Sequence, residues 1–398
     1  MNSDLQAPLF QPLELPCGTI LKNRIAKSAM SDSLGDGRGN PTEPQMRLYE
    51  RWAEGGSAVS IIGEVQGNPS VAEKPGNLVL RPDSDLTAFK ALARKGSSKS
   101  ARLWLQLGHA GAMAHPPISD PKGPSAIDIP GLSCAALTRD EIRALPFEFS
   151  RTAGLAKKLG FGGVQIHAAH GFLLSQFLSP LFNKRNDEFG GSITSRMRLL
   201  LDVIDEVRSA VGPGFPVAIK LNATDQLEGG FDEEDSCKLI AALDRTGIDL
   251  IDISGGTYFP GAKSASNGAE SGPYFIDFAE RVRQLTSKPL MVTGGFKTLK
   301  QAADAIAHSG VDMVGLARAL ALDPDLPNKW NAGSANDPDF PRFQNPPQGG
   351  VTAWFTMRLT KLGEDREPSD ASGLEAAIRD YEDRDRFRIS IWKARFGL

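Results

Sequence analysis

Eight short apolar runs of β-forming residues, each followed by a longer stretch with helical periodicity, constrain this chain more than any other feature of it. They are Arg24–Ala29 (RIAKSA), Ala58–Val65 (AVSIIGEV), Arg102–Leu107 (RLWLQL), Gly163–His167 (GVQIH), Val217–Leu221 (VAIKL), Leu250–Ser254 (LIDIS), Leu290–Thr293 (LMVT) and Val311–Leu316 (VDMVGL). Strands that alternate with helices build a parallel sheet, and eight such units predict a closed (β/α)8 TIM barrel of the α/β class. The 398 residues are enough for one large barrel with a C-terminal helical extension.

The intervening segments carry helix start signals. Thr138 with Glu141 forms a capping box ahead of a stretch running to Leu159, Arg196–Val211 holds apolar residues at helical spacing, and Asp232 caps a stretch through Leu243. One interval breaks the rhythm. Gly108 to Leu137, rich in Pro, Gly and Ala, separates the third run from its helix, and a loop of that length predicts a functional flap over the C-terminal mouth. The layout divides the chain into a barrel at 1–326, a linker or draped segment at 327–350 and a helical extension at 351–398, the last opened by a Ser372–Glu375 capping box. The aromatic and charged composition of the extension suits packing on its own barrel and the interface of a homodimer equally.

With 45 Lys+Arg against 48 Asp+Glu, the net charge of −3 gives no basic excess for a nucleic-acid backbone. No segment is long and apolar enough to predict a membrane span, and MNSDLQAPLFQPLEL lacks the pattern of a signal peptide, so the expected location is cytoplasmic. Cys17, Cys134 and Cys237 are isolated, which points to core thiols rather than a disulfide framework or a metal cluster.

Polar residues at the C-terminal ends of barrel strands are the candidates for chemistry, because that face holds the active site. His167 and His170 in IHAAHGF place two imidazoles just past a strand, either to hydrogen-bond one anionic oxygen or as a satisfied core pair. No carboxylate or thiol stands beside them at metal-ligand spacing, so no metal is expected. Gln106 and Lys220 sit near strand ends, where Lys220 either faces a cofactor or pairs with a neighbouring carboxylate. Thr293-Gly294-Gly295 and Gly315-Leu316-Ala317-Arg318, after the seventh and eighth runs, fall where barrels build a phosphate site, although each alone reads as a tight turn. The absence of a G-x-G-x-x-G between strand and helix argues against a Rossmann dinucleotide site.

These residues bring a resemblance with them. His167–Ser192, HAAHGFLLSQFLSPLFNKRNDEFGGS, is similar to the signature of the old yellow enzymes, and LKNRIAKSAM (Leu21–Met30), QLGHAG (Gln106–Gly111), MVTGGF (Met291–Phe296) and DMVGLARAL (Asp312–Leu320) support it. The resemblance spans roughly Leu9 to Leu326 and implies an FMN-dependent oxidoreductase using NADH or NADPH, with hydride passed through flavin N5 to an activated alkene. It implies that Ser28, Ala29 and Met30 contact the flavin, that Gln106 and Lys220 bond its pyrimidine edge, and that Ser31 stands where the family has a cysteine or threonine near N5. Gly294, Gly295, Ala317 and Arg318 would hold the phosphate, and His167 and His170 the substrate oxygen. Lys220 replaces the usual arginine. The family's proton-donating tyrosine is Phe172 here, which leaves Tyr258, a water or another loop residue to donate; Tyr258 reads equally as a rim aromatic. The altered donor keeps two alternatives open: an oxidative dehydrogenase or demethylase using the same site, and a flavin-binding protein without turnover.

Overall fold

A computed structural model of the chain describes residues 7–262, 272–333, 337–366 and 373–397. Its centre is a closed parallel barrel of eight strands: β1 Ile25–Met30, β2 Val59–Gln66, β3 Arg102–Leu107, β4 Gly163–Ala168, β5 Val217–Asn222, β6 Leu250–Ser254, β7 Leu290–Thr293 and β8 Met313–Leu316. Each strand pairs with its sequence neighbours, and β8 and β2 both pair with β1, which closes the ring. Strands covered on both faces are apolar almost throughout, which is why the sequence shows runs rather than simple alternation.

Crossover helices surround the barrel: α1 Glu43–Glu54, α2 Leu86–Gly96, α3 Arg139–Lys158, α4 Arg198–Val211, α5 Glu233–Leu243, α6 Ile276–Val282, α7 Leu299–His308 and the short α8 Arg318–Leu322. Their ends follow local chemistry. Thr138 and Glu141 make the reciprocal capping box of α3, and Asp232 accepts from the Asp235 N–H at 2.9 Å to start α5. Helix α4 buries Leu199, Leu200, Val203, Ile204, Val207 and Val211 on one face, the stripe that its spacing encodes.

Inside the barrel the lower layer is apolar. Ala26, Val59, Ile61, Trp104, Ala218, Leu250, Met291 and Met313 pack together, and Leu13, Leu15 and Leu21 of an N-terminal hairpin plug this end. Gly163 makes room for the largest of them, since a Cβ there would stand 2.7 Å from Trp104 Nε1.

The segment Gly108–Leu137 is more ordered than a plain loop. It holds a 3-10 turn at Gly111–Met113 and a small sheet of Lys122–Gly123, Ile127–Ile129 and Leu132–Ala136. The last two pair antiparallel through a turn in which Gly131 takes φ +84°, a hairpin too short for periodicity to reveal. Its start is pinned to the loop after β2, with Ala110 N–H donating to Val71 and His115 N–H to Ala72.

Beyond the barrel, α9 Gly350–Gly363 and α10 Leu374–Phe396 pack on the same chain. Gly373 precedes α10 without a side-chain cap, and Ser372 lies outside the described residues. Trp392 of α10 is fully buried against Ala72, Val79 and Ile118, and Arg388 donates to the Ser33 carbonyl at 2.6 Å, so α10 lies beside the loops that follow β1 and β2. Cys134 is buried, whereas Cys17 and Cys237 are only half-buried, and all three are free thiols. No helix among the described residues is long and apolar enough to cross a membrane.

Candidate active site

Above the apolar layer the barrel interior turns polar. Gln106 Nε2 donates to Gln165 Oε1 at 2.7 Å, Gln165 Nε2 to Asp252 Oδ2 at 3.0 Å, and Lys220 Nζ to the same oxygen at 2.8 Å. On the other side Thr293 Oγ1 donates to Asp252 Oδ1 at 2.7 Å and meets Ser28 Oγ at 2.9 Å. A network from β1 to β7 thus crosses the barrel at one level, with every member buried. Gly315 of β8 is part of this packing, because a Cβ would come within 2.1 Å of Thr293 Oγ1 and 2.3 Å of Ser28 Oγ.

Lys220 therefore has the carboxylate partner that its strand position allowed for, and it remains beside the histidines. His167 is buried with Nδ1 unpartnered, while His170 Nε2 lies 3.0 Å from Ser254 Oγ. The two rings are 5.4 Å apart at 72°. His170 reaches this position through a left-handed backbone, φ +61°, with its N–H held by Asn222 Oδ1 at 3.1 Å. Gly171 follows at φ +80° with Thr257 Oγ1 where a Cβ would be, 2.5 Å away.

Burial disfavours the charged form of both imidazoles. Burial, then the charges of His170 and Lys220, hold His167 well below the usual histidine range, and burial followed by Lys220 brings His170 down to about 3. Burial also lowers His109 to about 3, and its Nδ1 accepts from the Gly111 N–H at 3.0 Å. Among the described residues no group of three potential ligands could hold a metal ion.

Ser28 lies fully buried in the polar network, Ala29 and Met30 are half-buried at the end of β1, and the Ser31 hydroxyl just beyond is buried without a partner. Gly294 and Gly295 take φ +127° and +84°, and a side chain at Gly295 would collide with the Gly272 carbonyl. Ala317 and Arg318 follow β8, and the Arg318 guanidinium stacks 5.0 Å from the Phe355 ring of α9. Burial lowers the Arg318 pKa, and the phenols of Tyr274 and Tyr258 act against that shift. Phe172 is buried 4.7 Å from the His167 ring, and Tyr258 stands edge-on to it at 6.1 Å, 64% exposed.

The structure thus gathers His167, His170, Gln106, Lys220, Ser28 and Ser31 at one end of the barrel, with the glycine turn and Arg318 on the β7–β8 side of the same rim. Gln165, Asn222, Asp252 and Ser254 belong with them; Gln165 and Asp252 lie within their strands, and Asn222 and Ser254 close β5 and β6 without having been singled out. Their signal is a polar residue at every second place within an apolar run, as in VQIH, IKLN and IDIS. Unpartnered buried groups at His167 and Ser31, a lysine in the network, and backbone turns with a guanidinium at the β7–β8 rim are polar groups of the kinds that FMN requires.

Comparison with known proteins agrees. Residues 8–337 match the model of the NADH:flavin oxidoreductase / NADH oxidase family. The chain is 32% identical over 360 residues to the NADH-dependent flavin oxidoreductase iliE of Hypocrea jecorina (strain QM6a), covering 82% of this chain and 88% of that one. It is also 32% identical over 354 residues to iliE of Neonectria sp. (strain DH2), of which it spans only 46%, with 80% of this chain aligned. Morphinone reductase superimposes with a TM-score of 0.72 at 26% identity, over 84% of this chain and 91% of that one. The chain belongs to the NADH:flavin oxidoreductase / NADH oxidase family, barrel flavoenzymes of the old yellow enzyme type that carry FMN and take electrons from a nicotinamide nucleotide.

Proposed function

We propose that this protein reduces an electron-poor small molecule, such as an activated alkene, with electrons from NADH or NADPH. The observation that carries the reading is the His167–His170 pair beside Lys220, with the rings 5.4 Å apart and His167 Nδ1 buried and unpartnered. Neutral imidazoles offer N–H donors to a carbonyl or nitro oxygen, and donors fixed in a dry site stabilise charge that grows there during reaction. Bound FMN supplies the hydride chemistry. Around it Gln106 and Lys220 would hold the pyrimidine edge, Ser28, Ala29, Met30 and Ser31 would line the ring, and Gly294, Gly295, Ala317 and Arg318 would hold the phosphate. Tyr258 would cover the substrate from the rim.

A second reading draws on Phe172, which has no proton to give to carbon. The same site would then oxidise its substrate, as a dehydrogenase or demethylase acting on an amine does, or bind flavin without turnover. An anaerobic absorbance titration of the holoprotein with NADH and NADPH, then with a simple enone, separates them. Bleaching by a nicotinamide and recovery on adding enone supports alkene reduction. Bleaching by an amine without any nicotinamide supports the oxidative reading, and resistance to every reductant the flavin-binding one.

A further inference from the structure

An imidazole can polarise a substrate oxygen only through a ring nitrogen that carries a proton and has no other partner. In the uncharged form of His170, which burial favours, one of the two nitrogens holds that proton. Which one holds it decides whether the ring donates to a substrate or only accepts.

The backbone of His170 is fixed by Asn222. The His170 N–H donates to Asn222 Oδ1 at 3.1 Å, and Asn222 Nδ2 donates to Asp225 Oδ1 and to the Gly256 carbonyl, both at 2.9 Å. One amide thereby ties together the loops after β4, β5 and β6, and its orientation is forced, because a donor stands on one side and two acceptors on the other. Asp225 is itself held by Ser179 Oγ at 2.6 Å and the Phe231 N–H at 2.9 Å. The His170 carbonyl accepts from the Tyr258 N–H at 3.3 Å. This frame keeps His170 in its left-handed conformation, φ +61°, and so sets the direction of the ring.

The ring is fixed by Ser254. Asn222 and Ser254 are register partners across β5 and β6, so the two groups that act on His170 come from neighbouring strand ends. His170 Nε2 lies 3.0 Å from Ser254 Oγ, and Ser254 is 6% exposed. Among the described residues the Ser254 hydroxyl has no other acceptor within reach. If Nε2 donated to Oγ, the hydroxyl's own proton would be buried without a partner, a loss that folded proteins avoid. Both groups are satisfied when Ser254 O–H donates to Nε2, which puts the ring proton on Nδ1. Nδ1 has no partner among the described residues.

We infer that Ser254 is a positioning residue that holds His170 in the Nδ1–H form within the Asn222 frame, making Nδ1 the atom that donates to the substrate's oxygen. The inference rests on the reductive reading above, in which His170 binds that oxygen. Negative charge collects on the oxygen as the substrate is reduced, and a proton already aimed there stabilises it. Ser254 acts through the histidine and does not touch the substrate.

The test labels the ring nitrogens of the five histidines isotopically in the holoprotein and reads by NMR which nitrogen of each is protonated. The His170 signals are those missing from H170Q. The expected result is Nδ1–H in the wild type and in S254T, which keeps the hydroxyl, and Nε2–H, the form that histidine prefers in water, in S254A. In steady-state reduction of an enone, kcat/KM should fall about 10²-fold in S254A, the loss of one oxyanion donor, and recover in S254T. A wild-type proton on Nε2 overturns the inference, and that result needs no variant of Ser254 to fold. So does an S254A ring that keeps its proton on Nδ1, or a moved proton with kcat/KM unchanged. A wild-type holoprotein that a nicotinamide reduces and no enone reoxidises overturns the reductive reading itself, whichever nitrogen carries the proton.

Discussion

The histidines set the pH behaviour of the site. His109, His167 and His170 are all pushed below the usual histidine range by burial, and a histidine that is buried neutral must be charged when the protein is acidified. Their contribution is complete above the unfolded pKa of about 6.5 and is lost as pH falls toward their folded values. The Tm should therefore drop between pH 7 and pH 4, and His109→Gln, whose amide oxygen can still accept from the Gly111 N–H, should drop less steeply. His167→Ala should lower kcat/KM for an enone by about 10²–10³-fold, the loss typical of one oxyanion donor, in steady-state assays. Both histidines are legible in the sequence because HAAH directly follows an apolar run. The left-handed turn at Glu64, φ +58°, is not, since it belongs to a bulge between Ile62 and Val65 of β2 that leaves no periodic trace.

At the scale of elements, local signals and tertiary contacts divide the work. The Thr138–Glu141 box is readable from four residues, and Thr138→Ala should cost about 1 kcal/mol in urea unfolding. The β2 bulge depends on what surrounds it. Gly63→Ala puts a methyl against the Met30 carbonyl and should destabilise the protein by about 2 kcal/mol or more, with weaker flavin retention on a desalting column because Ser31 adjoins Met30. The Gly108–Leu137 segment has the same lesson: its composition predicts a flap, yet its hairpin is too short to leave a period and its bonds to Val71 and Ala72 are long-range.

For the whole molecule, the barrel positions every site residue, and the C-terminal helices brace two parts of its rim. Helix α9 supplies Phe355 under Arg318, and α10 holds the loops after β1 and β2 through Trp392, Arg388 and Arg395, the last donating to Asp83 at 2.9 Å. Trp392→Ala removes a fully buried indole and should cost about 3–5 kcal/mol, measured as a lowered midpoint of denaturant unfolding.

The sequence by itself determined the eight βα units, the strand ends that bear His167, His170, Gln106 and Lys220, and the glycine turns after β7 and β8. Periodicity, caps and strand-end placement are local, so they survive in one dimension. Only the tertiary structure decided that Gln106, Gln165, Asp252, Lys220, Thr293 and Ser28 form one buried network, that Lys220 keeps a carboxylate partner, and that β2 bulges between Ile62 and Val65. Those outcomes depend on closure of the barrel, which brings β1 to β8, and on steric contact between neighbouring strands, which no spacing along the chain records.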